Sequence, residues 1–327
     1  KVYLNAEVWV GETYWQEVVD LCDEIIDSKK YSLDSDYKQI FVTENQNSPE
    51  IILAGCNDEI YDSALPFRIH LWTHHWNYRY HHDTETFFWG GCCATPDLAN
   101  SYDPADTRFE DSWAEGPLYD NTGELTGVPG SPILCDPKDP KDQGLPLVYT
   151  RNIPIYNPGK PESMTGEGAG VRMNKYEIKK KAKNLLSNDF VIFRYADVLL
   201  CLAEAVNEQG RYGEAAGYVN QVRKRAGVAE LNTPGNPHVA VTSADELRPR
   251  IRNEKKWELA CEEQLYCDEL RWGTWQTDKF ADGNGLLECW GAPVYEYKWG
   301  GSAYLKWPIP SSEREKNPNL VQNDNWH

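Results

Sequence analysis

The sequence predicts an all-α fold of tetratricopeptide-like helix pairs, interrupted by a long irregular loop insertion. Three observations carry this. Two segments each read as helix–turn–helix, a constant offset of 197 residues aligns them, and residues 62–190 between them are loop-rich.

Residues 2–29 form the first pair. Tyr3, Leu4, Val8 and Val10 lie around one helix, while Trp15, Val18, Val19, Cys22, Ile25 and Ile26 give the next an apolar stripe of helical period. Gly11–Glu12–Thr13 supplies the turn. A second pair runs from about Phe193 to Ala226. Tyr195, Leu199, Leu202 and Val206 mark one face; Ala215, Tyr218, Val219 and Val222 mark the other, with Gln209–Gly210 between. At the constant offset Ala6–Glu7 matches Ala203–Glu204, Trp15 matches Tyr212 and Glu17 matches Glu214. Each unit spans roughly the 34 residues of a tetratricopeptide repeat, without its full consensus. Such a pair cannot bury its apolar face alone and needs stacked neighbours.

A third helical block starts at about Ala244 and runs through Trp275. Ser243 and Glu246 have capping-box spacing, and Pro249 falls in an early turn or marks a kink. Glu254, Glu258 and Glu262 recur every fourth residue beside Arg250, Arg252, Lys255 and Lys256, which reads as a salt-bridged helix face. Between the helical units, "GVPGSPILCDPKDPKDQGLP" and "YNPGKPESMTGEGAG" are rich in Pro and Gly. Their many Tyr and Trp neighbours argue against disorder. The expected organisation is a helix pair and following segment at 1–61, a ligand-binding insertion at 62–190 and a helical region with an extended arm at 191–327, all in one compact domain. Trp307 and Trp326 are expected to pin the arm.

With 327 residues the chain can bury a sizeable core. A formal charge of −18 disfavours a nucleic-acid partner. The longest apolar runs, such as Val198–Ala203, fall far short of the roughly 20 residues of a membrane span. No signal peptide or lipidation motif opens the chain, which starts within a helical pattern and reads as a fragment.

Nine cysteines show no C-x₂-C pair, and Cys22, Cys201 and Cys261 sit at apolar helix positions. Residues 70–91, "HLWTHHWNYRYHHDTETFFWGG", concentrate histidines and aromatics. His70 and His74 have four-residue spacing, yet Leu71–Trp72–Thr73 stands where a helical zinc motif needs its Glu, and no metal is expected. "GEGAG" at 166–170 lacks a preceding strand and a following helix, against a phosphate role. Cys92–Cys93 has no His partner fixed by sequence, and no G-x-S-x-G elbow occurs. Nothing here demands catalysis. Trp72, Trp76, Tyr78, Tyr80 and Trp89 alternate instead with Asn77, Arg79, His81 and Asp83. That mixture of flat apolar faces and polar groups suits a sugar ring, although burial is the usual fate of a single Trp.

The helical segments also resemble a known family. "FRYADVLLCLAEAVNEQGRYGEAAGYVNQVRKRAGV", "RNEKKWELACEEQLYCDELRWGTW" and "WPIPSSEREKNPNLVQNDNW" are similar to the signature of the SusD/RagB outer-membrane nutrient-binding lipoproteins. Residues 3–33, "SPEIILA", "TPDLANSYDPADTR" and "GVRMNKYE" follow the family's order. The resemblance implies a SusD-like α-superhelix, of which this chain would be the C-terminal two-thirds or so. It implies glycan capture at the bacterial cell surface without hydrolysis, and handover to a TonB-dependent, SusC-like transporter. Membrane association would be through a lipid anchor absent from this chain. No cofactor is implied; a structural calcium is the one addition left open.

Within the location the resemblance implies, the loops after "EIIL", Trp72, Trp76, Tyr78 and Trp89 are the expected stacking residues. Asn77, Arg79 and Asp83 are the expected hydrogen-bonding residues. Arg194, Asp197, Glu204, Arg225, Glu254, Glu258 and Arg271 are expected to form buried or half-buried ion pairs that fix helix register. Trp272 is expected in the seam between the last helix and the arm. Two alternatives stay open: a helical-repeat scaffold that binds proteins, and a glycoside hydrolase, which needs two carboxylates about 5–10 Å apart across a cleft.

Overall fold

The computed structural model describes residues 1–60, 69–138, 142–153, 166–183, 186–274 and 308–322. Trp275, Trp307 and Trp326 lie outside them, as does the side chain of His70. Two helix pairs are present: α1 (Ala6–Val10) with α2 (Trp15–Asp27), and α6 (Tyr195–Glu208) with α7 (Tyr212–Arg225). α2 opens on Trp15 and α7 on Tyr212, so the 197-residue offset aligns the first residues of the two second helices. Gly11 and Gly210 take left-handed backbone at φ +74° and +80°, a conformation glycine adopts without a Cβ penalty.

α6 packs against α2, α7 and α8 (Ala244–Glu258). Leu199, Leu200, Leu202, Ala203, Ala205 and Val206 are all 0–1% exposed, and Asp197, Glu204 and Asn207 are buried too, so the helix is covered on nearly every side and sits at the centre. Val18 and Val19 from α2, Val219 and Val222 from α7, and Leu247 and Ile251 from α8 close this core around it. Each fully buried Leu or Val contributes roughly 1.5–3 kcal/mol.

The insertion carries α3 (Tyr78–His82), α4 (Pro96–Ser101) and α5 (Thr107–Ser112), with four small antiparallel ribbons around it that the helical reading did not foresee. β1 (Ile51–Gly55) pairs β8 (Phe190–Arg194), with Ile51 opposite Arg194. β2 (Trp113–Ala114) pairs β7 (Arg172–Met173), β3 (Gly116–Pro117) pairs β6 (Val148–Tyr149), and β4 (Tyr119–Asp120) pairs β5 (Ser131–Pro132). A two-residue strand has no room for a period, which is why the sequence concealed the last three of these ribbons. The insertion has an apolar core of its own, in which Phe41, Leu71, Tyr78, Phe88, Ile133, Leu147 and Tyr149 meet.

The signature charges are buried and paired. Arg194 reaches Glu50 at 2.6 Å, Glu258 at 2.5 Å and Glu262 at 2.7 Å. Arg225 joins Glu50 and Glu258; Arg108 joins Asp106, Glu254 and Glu258; Arg223 joins Glu254; Lys175 joins Glu262. Three arginines beside it, Arg225, Arg194 and Arg108, outweigh burial and hold Glu258 well below the usual carboxylate range. Cations Arg108, Lys175, Arg194, Arg223 and Arg225 face carboxylates Glu50, Asp106, Glu254, Glu258 and Glu262, so the formal charges cancel. A second cluster ties Glu204 and Asp268 to Lys255 and Arg271, and Asp197 to Lys1.

Three local expectations change. The glutamates spaced every fourth residue bond cations from distant segments rather than their helix neighbours, because that face points inward. The third block is also broken: α8 ends at Glu258 and α9 (Gln264–Trp272) starts after Cys261 and Glu263, both at φ +63°. The Glu258 carbonyl accepts from Tyr37, Lys175 and Arg194, so buried cations terminate the helix where its dipole is negative. Lastly, Ser243 caps the Glu246 N–H, while the Glu246 carboxylate accepts from Thr242, one residue earlier than a capping box would place it. Trp272 donates to Glu204 at 2.7 Å and packs beside Arg252 and Arg271, against α6 and α8; residues 275–307, which lead into the arm, lie outside the described residues. A short α10 (Ser311–Lys316) lies in the arm.

Candidate functional site

Residues 71–92 fold into two limbs laced through their backbones. Trp89 N–H donates to the Leu71 carbonyl, Gly90 to His74, and Gly91 and Cys92 to Trp72. Gly90 sits at φ +66°, and a Cβ on Gly91 would lie 3.0 Å from the Trp72 carbonyl, so the crossing depends on this glycine pair. From Thr84 to Trp89 burial alternates, with Thr84, Thr86 and Phe88 inside and Glu85, Phe87 and Trp89 outside.

This lacing brings Trp72 and Trp89 together. Their rings stack at 6.2 Å and 21°, and each remains half exposed, at 48% and 53%. Trp76 is 41% exposed, leans on His75 at 3.8 Å and lies beside Gly90. Phe87, 51% exposed, adds an aromatic that was not among the expected residues; the alternation through residues 84–89 was the signal for it.

Tyr78 is different. It is 5% exposed, with His74 face-on at 3.7 Å and His82 stacked at 5.7 Å. Its ring faces are taken, so it supports the platform from beneath and is no stacking surface for a sugar. Asn77 is half-buried, and its side-chain amide has no partner among the described residues. Arg79 bonds the Tyr80 hydroxyl at 2.5 Å and lies over that ring. Asp83 ends α3 in left-handed backbone and pairs with Lys181 at 2.5 Å. The lacing thus stacks Trp72 with Trp89 and sets Trp76 against Gly90, the residue after Trp89. Arg79 and Asp83 are engaged elsewhere on α3.

The histidines act as aromatic filler and as a strut. His75 Nδ1 accepts from the Asn77 N–H at 3.1 Å, which places the ring proton on Nε2, where it donates to Glu167 at 2.9 Å. Burial and Arg172 push His75 down to about 3, so it is neutral at physiological pH. Glu167 also accepts from the Asp136 N–H at 3.1 Å. Among the described residues no three His, Cys, Asp or Glu converge on a point that could hold a metal ion.

Glu167 belongs to the "GEGAG" run, which is a packing strip. A Cβ on Gly168 would lie 2.0 Å from the Val148 carbonyl, and one on Gly170, at φ +82°, would lie 2.4 Å from the Cys93 Sγ. Gly168→Ala is expected to lower stability by about 1–3 kcal/mol in urea unfolding, the usual cost of overpacking. An unchanged midpoint would show that the strip tolerates side chains and that the approach is not tight.

A model of the SusD family matches residues 72–326. The SusD-like protein P38 of Formosa agariphila is 33% identical over 154 residues, which are 47% of this chain and 28% of that protein. A solved SusD superfamily protein of Bacteroides vulgatus superposes with a TM-score of 0.63 at 19% identity, over 99% of this chain and 60% of that one. Surface glycan-binding protein A of Bacteroides thetaiotaomicron, solved in complex with laminarihexaose, gives a TM-score of 0.56 at 21% identity, over 98% and 61%. The chain therefore spans about three-fifths of these solved relatives, and the match covers little more than a quarter of the P38 relative. At these identities the structures show a shared fold.

Proposed function

We propose, from the premise that the chain belongs to the SusD family, that it captures a neutral poly- or oligosaccharide at the bacterial cell surface without hydrolysing it. The captured glycan would pass to a TonB-dependent, SusC-like transporter in the outer membrane. No helix among the described residues is long and apolar enough to cross a membrane.

The observation that carries this reading is the platform of Trp72, Trp76 and Trp89. Three half-exposed indoles sit within one laced loop, with the free Asn77 amide beside Trp76 in the chain. Water is a poor partner for an indole face, and the apolar C–H face of a sugar ring is a good one; an adjacent amide serves its hydroxyls. The base is stiff, because His74, Tyr78 and Phe88 are fully packed beneath it. Support also comes from the laminarihexaose complex of a relative with the same fold. Among the described residues α6 is buried against α2, α7 and α8, so its own surface is not open as a rival groove.

The test is a panel of neutral plant and host polysaccharides, followed by native-gel retardation and Trp fluorescence, with a reducing-sugar assay in parallel. Retardation by at least one polysaccharide, with no reducing ends released over hours, is the expected result. Release of reducing ends would replace capture by hydrolysis. No retardation by any member would remove the reading of the tryptophan platform as a polysaccharide-capture site.

A further inference from the structure

A second cleft opens on the other flank of α3, and of the residues assigned above only Tyr78 lines it. It encloses about 460 Å³ between α3, the α5–β2 turn and the β3–β6 ribbon, within the about 300–1,000 Å³ usual for small-ligand sites. Phe109, Trp113 and Tyr149 supply apolar wall, and His81, Glu110, Glu115, Arg151 and Asn174 supply polar groups.

These polar groups divide into two kinds. Arg151 and Glu115 are already engaged: the guanidinium meets the carboxylate at 3.0 Å, donates to the Ala99 carbonyl and covers the Phe109 ring at 3.9 Å. Asn174 and Glu110 are not engaged. Among the described residues only the backbone of Asn174 makes hydrogen bonds, and the exposed Glu110 carboxylate has no hydrogen bond or ion pair. His81 is pulled below its ordinary value by burial and so adds no positive charge at neutral pH, while its Nδ1 faces the Tyr119 backbone at 3.0 Å.

We infer that this cleft is a second subsite for a neutral sugar unit, separate from the tryptophan platform. The inference rests on the glycan-capture reading and extends it. An unengaged amide offers two donors and an acceptor, and an unengaged carboxylate accepts from two hydroxyls. They match the hydroxyls of a polyol, and the ring edges of Phe109, Trp113 and Tyr149, all largely buried, form the apolar floor beneath them. The ion pair of Arg151 and Glu115 contributes no net charge, so Glu110 leaves the cleft negative. A uronic or sulfated sugar would meet repulsion there. Trp76 and Tyr78, which belong to platform and cleft wall respectively, are two residues apart, at most about 7 Å of backbone. One glycan chain can therefore meet both.

The experiment uses the full chain labelled with [¹⁵N]tryptophan. Indole signals of Trp113 and of Trp72, Trp76 and Trp89 are assigned by single Phe substitutions. Methyl glucoside, methyl galactoside and methyl mannoside, each in both anomers, are titrated to 100 mM, with methyl glucuronide as the anionic counterpart.

The expected result is a saturable Trp113 shift with at least one neutral glycoside and none with the glucuronide. The shift should persist in Trp72→Ala/Trp76→Ala/Trp89→Ala and weaken at least fivefold in Asn174→Ala. Asn174→Ala removes no hydrogen bond among the described residues, so its fold is expected intact, and an unchanged melting temperature checks that. A Trp113 signal that no neutral glycoside moves, in a protein whose polysaccharide retardation is normal, overturns the subsite and leaves the platform standing. Failure of the polysaccharide panel with a saturable Trp113 shift has the opposite meaning: the cleft stands and the platform falls. An equal shift with methyl glucuronide overturns the neutral-sugar assignment.

Discussion

Arg194→Met lowers the free energy of unfolding by about 3–5 kcal/mol, read as a fall in the urea midpoint at unchanged slope. Arg194 is 1% exposed and holds three carboxylates, from β1's flank, α8 and the α8–α9 break. Methionine fills the volume but leaves one buried negative charge without a partner. The cost is that of an uncompensated charge, which exceeds the net value of the original pairs. Adding Glu262→Gln restores the balance and is expected to recover at least half of the loss. A double variant as unstable as the single one would show that geometry, and not charge, is what Arg194 supplies.

Acid should narrow the difference between wild type and Arg194→Met. Glu258 is held well below its ordinary value in the folded protein. Stability from that depression is present in full above the unfolded carboxylate value of about 4.3, and is lost as pH falls through the lower folded value. Wild type has this contribution to lose, whereas the variant has already lost part of it. Between pH 7 and pH 3 the two unfolding free energies should therefore converge. Parallel curves would place the defect outside the ion network.

Much of this network was legible in the sequence, and its wiring was not. Charges such as Arg194, Glu204 and Glu258 sit among apolar helix positions, which predicts burial and hence pairing. Their partners Glu50, Arg108 and Lys175 come from segments whose own patterns are irregular, so only the folded chain shows them. The same limit applies to the break after Glu258. Nothing in "KKWELACEEQLYCDEL" stops a helix; Lys175 and Arg194 do so by taking the carbonyl at its end. At the candidate site, residue type alone could not separate Trp72 from Tyr78. Both are aromatics in one loop, yet His74 and His82 enclose Tyr78 while, among the described residues, Trp72 meets only Trp89 at ring distance. The two-residue alternation from Thr84 to Trp89 was a usable signal for Phe87, and it runs through the very stretch whose histidines draw attention elsewhere.

Trp72→Ala and Trp89→Ala are each expected to weaken polysaccharide binding by about 30-fold, the loss of some 2 kcal/mol that a central aromatic anchor typically carries. Both rings are half exposed, so neither change should lower the free energy of unfolding by more than about 1 kcal/mol, and binding and folding separate cleanly. The two effects should not add. With the rings stacked at 6.2 Å, each holds the other in place, and aromatic pairs couple by about 0.5–1.5 kcal/mol. Once one indole is gone, the other has lost its orientation, and its removal has less left to cost. The double variant should therefore bind better than the product of the single effects predicts. Tyr78→Phe is the internal control: that ring is enclosed and its faces occupied, so binding should stay within twofold of wild type. If Tyr78→Phe weakens binding while the tryptophan variants do not, the sugar sits on the cleft side of α3, and the half-exposed indoles serve some surface other than a glycan.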